Sequence, residues 1–242
     1  MNDKKPGLIA RLLKVTSKIE ENEVKATVSS FSFVFILMAA YYVLRPVRDA
    51  MASDWTDAEV SMLWTINFFI STACVAIYGI AVSNLNFRKL VPSVYMFFAA
   101  SFAVFYLFVQ SSQDTVLVDK TFYVWVSVFA LFHVSVFWSF MADTFNKTQA
   151  GRLFGVIAAG ASLGAIAGPI LSVFLVDLIG ISQMMLVSAL MLLLPIPLIL
   201  YLGRLKASEL HNEDVSADLS SAKIGGNPFV GFKEFFTNPY LL

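Results

Sequence analysis

The 242-residue sequence is 58% hydrophobic and 14% charged, with a mean hydropathy of +0.73 and no net charge at pH 7. A soluble domain carries about a quarter charged residues, so this composition excludes an ordinary globular protein. The neutral balance and the lack of a basic tract exclude a nucleic-acid-binding domain. With one cysteine, Cys74, a disulfide framework or a thiolate metal cluster is also excluded.

Residues 1–25 form a polar segment that carries six basic side chains, with apolar residues at roughly helical spacing among them. This pattern predicts either a basic amphipathic helix on the inner membrane surface or a partly ordered tail. The segment is too polar for a cleaved signal peptide.

Six apolar runs follow, and each is long enough to cross a hydrocarbon core of about 30 Å as a helix. Backbone groups in lipid must pair within their own segment, and the alternating polarity of a membrane barrel is missing. The sequence therefore predicts an all-α, polytopic membrane protein, a six-helix bundle over residues 26–203 in contact with the lipid bilayer. The runs cover about 26–44 (continuing to 52), 58–82, 90–110, 121–142, 153–176 and 182–203.

The distribution of Lys and Arg predicts the orientation. Fourteen of these residues fall on the side that holds the N-terminus, and three (Arg45, Arg48 and Lys120) fall on the opposite side. Because cytoplasmic loops are enriched in basic residues, we expect both termini to be cytoplasmic.

Residues 204–242 are a polar linker by composition, and their apolar ending suggests the approach to a seventh helix. We therefore expect a partner for the bundle: a second six-helix half in the same chain, or a second copy in a dimer.

Helix one contains the charged residues that are least compatible with lipid. Tyr41, Arg45 and Arg48 share one helical face, and Asp49 follows them. Charges at this depth normally face a bundle interior or a water-filled cavity, and the arginine fork suits phosphate or carboxylate groups. The alternative is that both arginines reach the outer headgroups, with Asp49 as the i,i+4 partner of Arg45.

The junction of helices four and five contains Asp143 and Arg152. These residues could pair across the short inner loop, as a gating latch that forms in one conformation and breaks in another. The alternative is a solvated pair of loop charges.

Helix five carries a series of small residues, Gly155, Gly160, Gly164 and Gly168, followed by Pro169. The last three glycines form a smooth face that allows close helix packing. Pro169 frees a backbone carbonyl and can bend the helix, which could move during transport.

No motif in the sequence predicts an enzyme, a metal site or a cofactor. Residues 160–164 match the nucleophile-elbow pattern around Ser162, but this motif requires a preceding strand and here lies inside an apolar helix. His133, the one histidine available as its base, is expected to pack or hydrogen-bond within helix four.

Six helices with both ends inside and a polar linker resemble the amino-terminal half of a major facilitator superfamily transporter. The segment Tyr41-Tyr-Val-Leu-Arg-Pro-Val-Arg-Asp49 is similar to the helix-one signature of the ATP/ADP (nucleotide) translocases within that superfamily. The segment from Phe137-Trp138 to Asp143, followed by Arg152-Leu-Phe-Gly155, resembles their helix-four-to-five region. Ser83, however, stands where the general facilitator motif has an aspartate.

The resemblance implies a secondary active transporter of a small anionic solute in a bacterial inner membrane, acting by alternating access. It places the translocases' cationic site on Arg45 and Arg48. The competing hypothesis is a membrane scaffold or assembly partner that transports nothing.

Overall fold

The computed structural model describes residues 19–84, 87–111 and 115–212, and within these ranges it contains helices and no strand. The predicted all-α class is confirmed. A short 3-10 turn, Glu21–Glu23, precedes α1. The α-helices are α1 Val24–Met51, α2 Asp57–Asn84, α3 Phe87–Ser111, α4 Val116–Thr144, α5 Lys147–Ile179, α6 Met184–Leu193 and α7 Pro195–Ser208.

These helices provide the six predicted apolar spans. Helices α6 and α7 form a single span, Met184–Ser208, because Leu194 keeps a helical backbone between them. Pro195 begins α7, a position where a missing N–H is tolerated. The shortest span has 24 residues, so each exceeds the length needed to cross about 30 Å of hydrocarbon.

The bundle is slightly longer than the range 26–203 expected from composition. Helix α1 begins at Val24, and α7 continues through residues 204–208. Residues 1–18 and 213–242, which hold most of the predicted amphipathic segment and of the linker, lie outside the described residues.

Short connections make consecutive spans antiparallel. The link between α4 and α5 is two residues, Phe145 and Asn146, and Asn146 caps α5 through reciprocal hydrogen bonds with Gln149. The amide of Asn22 donates to the carbonyl of Glu209 at 3.2 Å, so the segment before α1 lies beside the end of α7. We call this the proximal end, and the end where α1 finishes at Met51 the distal end.

Helix α1 lies at the centre of the bundle. It packs most extensively on α5 and also contacts α4, α6 and α7, whereas α2 contacts mainly α4. On α1, Phe33 meets Tyr95 of α3 and Phe137 of α4 edge to face, with ring centroids 5.6 and 5.0 Å apart. The polar residues Thr27, Ser29 and Ser30 of α1 are therefore buried between other helices, while much of α2 remains uncovered.

Candidate functional site

Arg48 lies near the distal end of α1, on the side that packs against α4. Only 16% of its side chain is exposed. Its guanidinium donates to Oδ1 of Asp49 at 2.7 and 3.0 Å, and its Cζ lies 5.3 Å from the centre of the Tyr123 ring on α4. A carboxylate and an aromatic face together hold this cation between the two helices.

Arg45 is one turn nearer the middle of α1 and faces α5 instead. Its side chain is 49% exposed, and its Nε lies 3.7 Å from Oδ2 of Asp49. The i,i+4 pair predicted for these residues is thus present, at the long end of an ion-pair distance. Arg45 and Asp49, with Tyr42, Pro46 and Pro169, line a cavity of about 330 Å³ between α1 and α5.

Both arginines share one carboxylate. Among the described residues, Arg45 and Arg48 each form an ion pair with Asp49. These three side chains together carry a net charge of +1. Such a surplus on planar, multidentate donors is suited to a phosphate or carboxylate group.

Tyr41 does not line the cavity beside Arg45. Its ring stacks on His133 of α4, with centroids 4.6 Å apart and planes inclined by 28°. On the continuous helix α1, positions 41, 45 and 48 share one face as predicted, but their side chains have different neighbours. Tyr41 and Arg48 contact α4, whereas Arg45 lines the cavity with Tyr42 and Pro169 of α5.

Asp143 and Arg152 do not form an ion pair with each other in this conformation, and each has an ion pair with another residue. Arg152 contacts Glu20 at 2.7 Å and Glu23 at 2.6 Å, which ties α5 to the segment before α1. Glu23 is almost fully buried, with 1% of its side chain exposed. Asp143 instead accepts from Lys206 of α7 at 2.9 Å. The sequence could not indicate these partners, since each pair joins residues more than 60 positions apart.

A set of amides reinforces the same proximal end. Asn212, beyond α7, donates to Oε1 of Gln149 at 2.6 Å and to the carbonyl of Thr144 at 3.1 Å. Asn146 donates to Oδ1 of Asn212 at 3.2 Å. This network was not among the sequence-based predictions. The spacing of Asn146 and Gln149 is typical of a helix capping box and could have indicated part of the network. The position of Asn212 could not be predicted from the sequence.

Three of the four predicted packing glycines touch α1. An added Cβ would lie 2.6 Å from the Phe31 carbonyl oxygen at Gly160, and 2.6 Å from the Tyr42 Cβ at Gly168. At Gly164 it would collide with the Phe35 carbonyl oxygen.

Gly155 is corrected, since its missing Cβ would meet nothing within 4 Å and it takes no part in this contact. The close approach begins at Gly160, where α1 and α5 come together. Pro169 lies inside α5, which remains one helix from Lys147 to Ile179.

A groove between α2 and α4 was not anticipated. It has a volume of about 660 Å³, and its polar lining consists of Asn67, Ser71, Thr72 and Ser127. On α2 the lining positions 64, 67, 68, 71, 72 and 75 follow helical spacing, which is the one signal in the sequence that could have revealed the groove.

The residues of the apparent nucleophile elbow lie inside α5, as the sequence indicated. His133 is buried, and its Nδ1 lies 3.0 Å from the Phe129 carbonyl oxygen one turn earlier in α4, which is the expected bond within helix four. Within the described ranges, no group of three or more His, Cys, Asp and Glu side chains is placed to hold a metal.

Six long apolar helices, with ionic and polar groups enclosed between them, define a multi-pass α-helical membrane protein. The family model described as Major Facilitator Superfamily matches residues 30–242. The chain belongs to this superfamily, whose members are transporters rather than enzymes, and membership implies a transporter of some solute. Searches of curated proteins and of solved structures gave no match.

Proposed function

We propose that this transporter is secondary active and moves a small anionic solute by alternating access, with Arg45 and Arg48 contacting the anionic group. The observation that carries the proposal is the single carboxylate of Asp49 between two guanidinium groups. Arg48 is largely buried between α1 and α4, where water screens its attraction for an anion less than in bulk solvent. A solute phosphate or carboxylate would balance the remaining positive charge.

The remaining distal residues have supporting roles in this proposal. Asp49 orients both guanidinium groups and is displaced in part when the solute anion binds. Tyr41 stacks on His133 of α4 and so holds the side of α1 on which Arg48 also contacts α4. The similarity of Tyr41-to-Asp49 to the ATP/ADP translocase signature makes nucleotides the first solutes to test.

We propose a gating role for Asp143 and Arg152 through their separate ion pairs. Arg152 holds the segment before α1 against α5, and Asp143 holds α7 against α4. Opening at the proximal end would have to loosen at least one of these pairs. The glycine contact between α1 and α5 would allow small sliding movements without large side chains interlocking.

The proposal also includes the orientation of the bundle, its membrane and a second six-helix half. The proximal end would face the cytoplasm of a bacterium, with the bundle in the inner membrane, in line with the distribution of basic residues. A second six-helix half, in the same chain or in a second copy, would close the solute path.

Uptake into liposomes tests the assignment. We expect the purified, reconstituted protein to take up one member of a panel of labelled nucleotides and organic anions. Arg48→Gln should lower uptake about 10- to 100-fold, because a charge-assisted hydrogen bond is lost. Arg45→Gln should have a smaller effect, since Arg45 is more exposed.

Arg204→Gln is the matched control, an exposed arginine at the proximal end that should leave uptake unchanged. Uptake of uncharged solutes alone, or equal rates for Arg48→Gln and wild type, would contradict the proposal. No uptake of any solute would favour the scaffold hypothesis.

A further inference from the structure

The aromatic partner of Arg48 belongs to a small apolar cluster that is separate from the main core. Tyr123 of α4, which is 8% exposed, forms this cluster with Leu63 of α2 and Val124. Trp55, in the link between α1 and α2, packs against it. The other buried apolar residues of α4 belong to the main core. The ring that faces Arg48 is therefore held from the side of α2.

Two tryptophans fix the orientation of the Tyr123 ring. The ring of Trp55 meets it edge to face, with centroids 5.6 Å apart and planes inclined by 68°. The Nε1–H of Trp64 on α2 donates to the Tyr123 hydroxyl at 2.9 Å. Because one contact constrains the ring and the other anchors its far end, the phenol side chain has a single preferred orientation.

An ion pair joins α2 to α4 beside this cluster. Nζ of Lys120 lies 2.7 Å from Oε1 of Glu59. Lys120 precedes Tyr123 by three residues, so the two share one face of α4. The second carboxylate oxygen of Glu59 accepts from the N–H and the hydroxyl of Thr56 at 2.9 and 3.0 Å. The beginning of α2 is thus fastened to α4 at the level of Tyr123.

Arg48 has two contacts, and a solute anion would compete for only one of them. The carboxylate of Asp49 is 51% exposed and also pairs with Arg45. An anion competes with such a carboxylate for the N–H donors of the guanidinium. The Tyr123 ring, 5.3 Å from Cζ of Arg48, attracts the cation through its π-face and uses none of those donors. This ring can therefore hold the guanidinium while the solute binds.

We infer that Tyr123 is a positioning residue for solute binding. Its ring holds the guanidinium of Arg48 in place for the anionic group, and α2 holds the ring through Trp55 and Trp64. A movement of α2 away from α4 would release the ring and weaken solute binding. The attachment of α2 thereby regulates the affinity of the site. This inference rests on the proposed function, because it assumes an anion at Arg48.

Calorimetric titration of the purified protein in detergent tests this role. Pyrophosphate and citrate are the probes, one for each anionic group that an arginine fork suits. We expect Tyr123→Leu to weaken binding about tenfold, because the cation loses its aromatic face. Tyr123→Phe keeps the ring but loses the bond to Trp64, and it should weaken binding only about twofold.

Tyr106→Leu is the matched control for the loss of a tyrosine ring. Tyr106 is a half-buried residue of α3, and its hydroxyl accepts a hydrogen bond from Gln110 of the same helix. This variant should bind both probes as the wild type does. A tenfold loss in it as well would assign the effect to damaged packing and overturn the inference.

A double-mutant cycle separates positioning from general packing. In an Arg48→Gln background, Tyr123→Leu should weaken binding no further, since the ring acts through the guanidinium. Trp64→Phe should match Tyr123→Phe, and the two together should add nothing, because both remove the same hydrogen bond. An equal loss from Tyr123→Leu in both backgrounds would mean that the ring does not act through Arg48, against the inference.

The outcomes distinguish this inference from the proposed function. If binding depends on Arg48 but Tyr123→Leu binds as wild type, the positioning role is overturned and the anionic site stands. If neither probe binds, or both bind wild type and Arg48→Gln equally, the anionic site is overturned and the inference with it. If Tyr123→Leu does not fold, Tyr123→Phe and Trp64→Phe replace it, and wild-type affinity in both contradicts the inference.

Discussion

Helices α1 and α2 are equally apolar in sequence, but they differ sharply in how much of each is buried in the bundle. Their spans, Glu21–Met51 and Asp57–Val82, have the same mean hydropathy of 1.8. Yet 56% of the most apolar stretch of α1 is buried inside the bundle, and none of that of α2 is. Apolarity places both helices in the membrane, but it does not decide which one becomes the centre of the bundle.

The difference comes from the neighbours. Helix α5 offers α1 three glycines on one face, so the two backbones come close along most of their length. Helix α2 instead presents Asn67 and Ser71 beside large exposed aromatic residues, and it meets mainly α4. The first interface is closely packed, and the second leaves a groove with polar residues in a mainly apolar lining. Three substitutions, with successively smaller expected effects on stability, test this contrast.

Gly164→Leu should disrupt the α1–α5 contact. The new side chain would meet the Phe35 backbone and the Met38 Cβ, and a backbone carbonyl cannot swing aside as a flexible side chain can. We expect a loss of about 3 kcal/mol in stability, measured by thermal unfolding with size-exclusion chromatography. Gly155→Leu, on the same helix with open space around it, should change stability by less than about 0.5 kcal/mol. Equal melting of the two variants would mean that α1 and α5 are not closely packed.

Arg152→Gln should lower the melting temperature by a smaller amount. It takes the guanidinium away from the buried Glu23 carboxylate, which is then left without this counter-charge. Adding Glu23→Gln should recover part of the loss, because two amides can hydrogen-bond without an uncompensated charge. Lys25→Gln, which removes an exposed ion pair with Glu209, should have little effect. A double variant less stable than Arg152→Gln alone would argue against a direct Glu23–Arg152 interaction.

Trp64→Phe should have the smallest effect of the three. It removes the hydrogen bond between Nε1 and the Tyr123 hydroxyl, which is worth about 1 kcal/mol, while most of the ring surface is kept. Chemical denaturation in mixed micelles can measure this difference. Phe69→Leu, at an exposed position of α2 outside the groove lining, is the control with no expected change. If both variants are equally stable, α2 is not fixed to α4 through Trp64.

The α1–α5 contact was also the part of the packing that the sequence predicted best. Gly160, Gly164 and Gly168 are spaced four apart, and one face of a helix repeats at that interval. Gly155 breaks this interval, and of the four predicted packing glycines it is the one where an added Cβ would meet nothing within 4 Å. Arg45 and Arg48 could also be identified as candidate site residues from the sequence, because charged residues inside an apolar run are rare in any membrane fold.

The sequence alone determined the number of spans, their helical class and the positions of the arginines and packing glycines. These follow from local rules: hydrocarbon thickness, backbone hydrogen bonding and helical periodicity. The tertiary structure decided which helix is central, that Arg152 pairs with Glu23 and Asp143 with Lys206, and that Asn67 lies in a groove between α2 and α4. Those partners are far apart in the chain, and only the packing of the helices brings them within bonding distance.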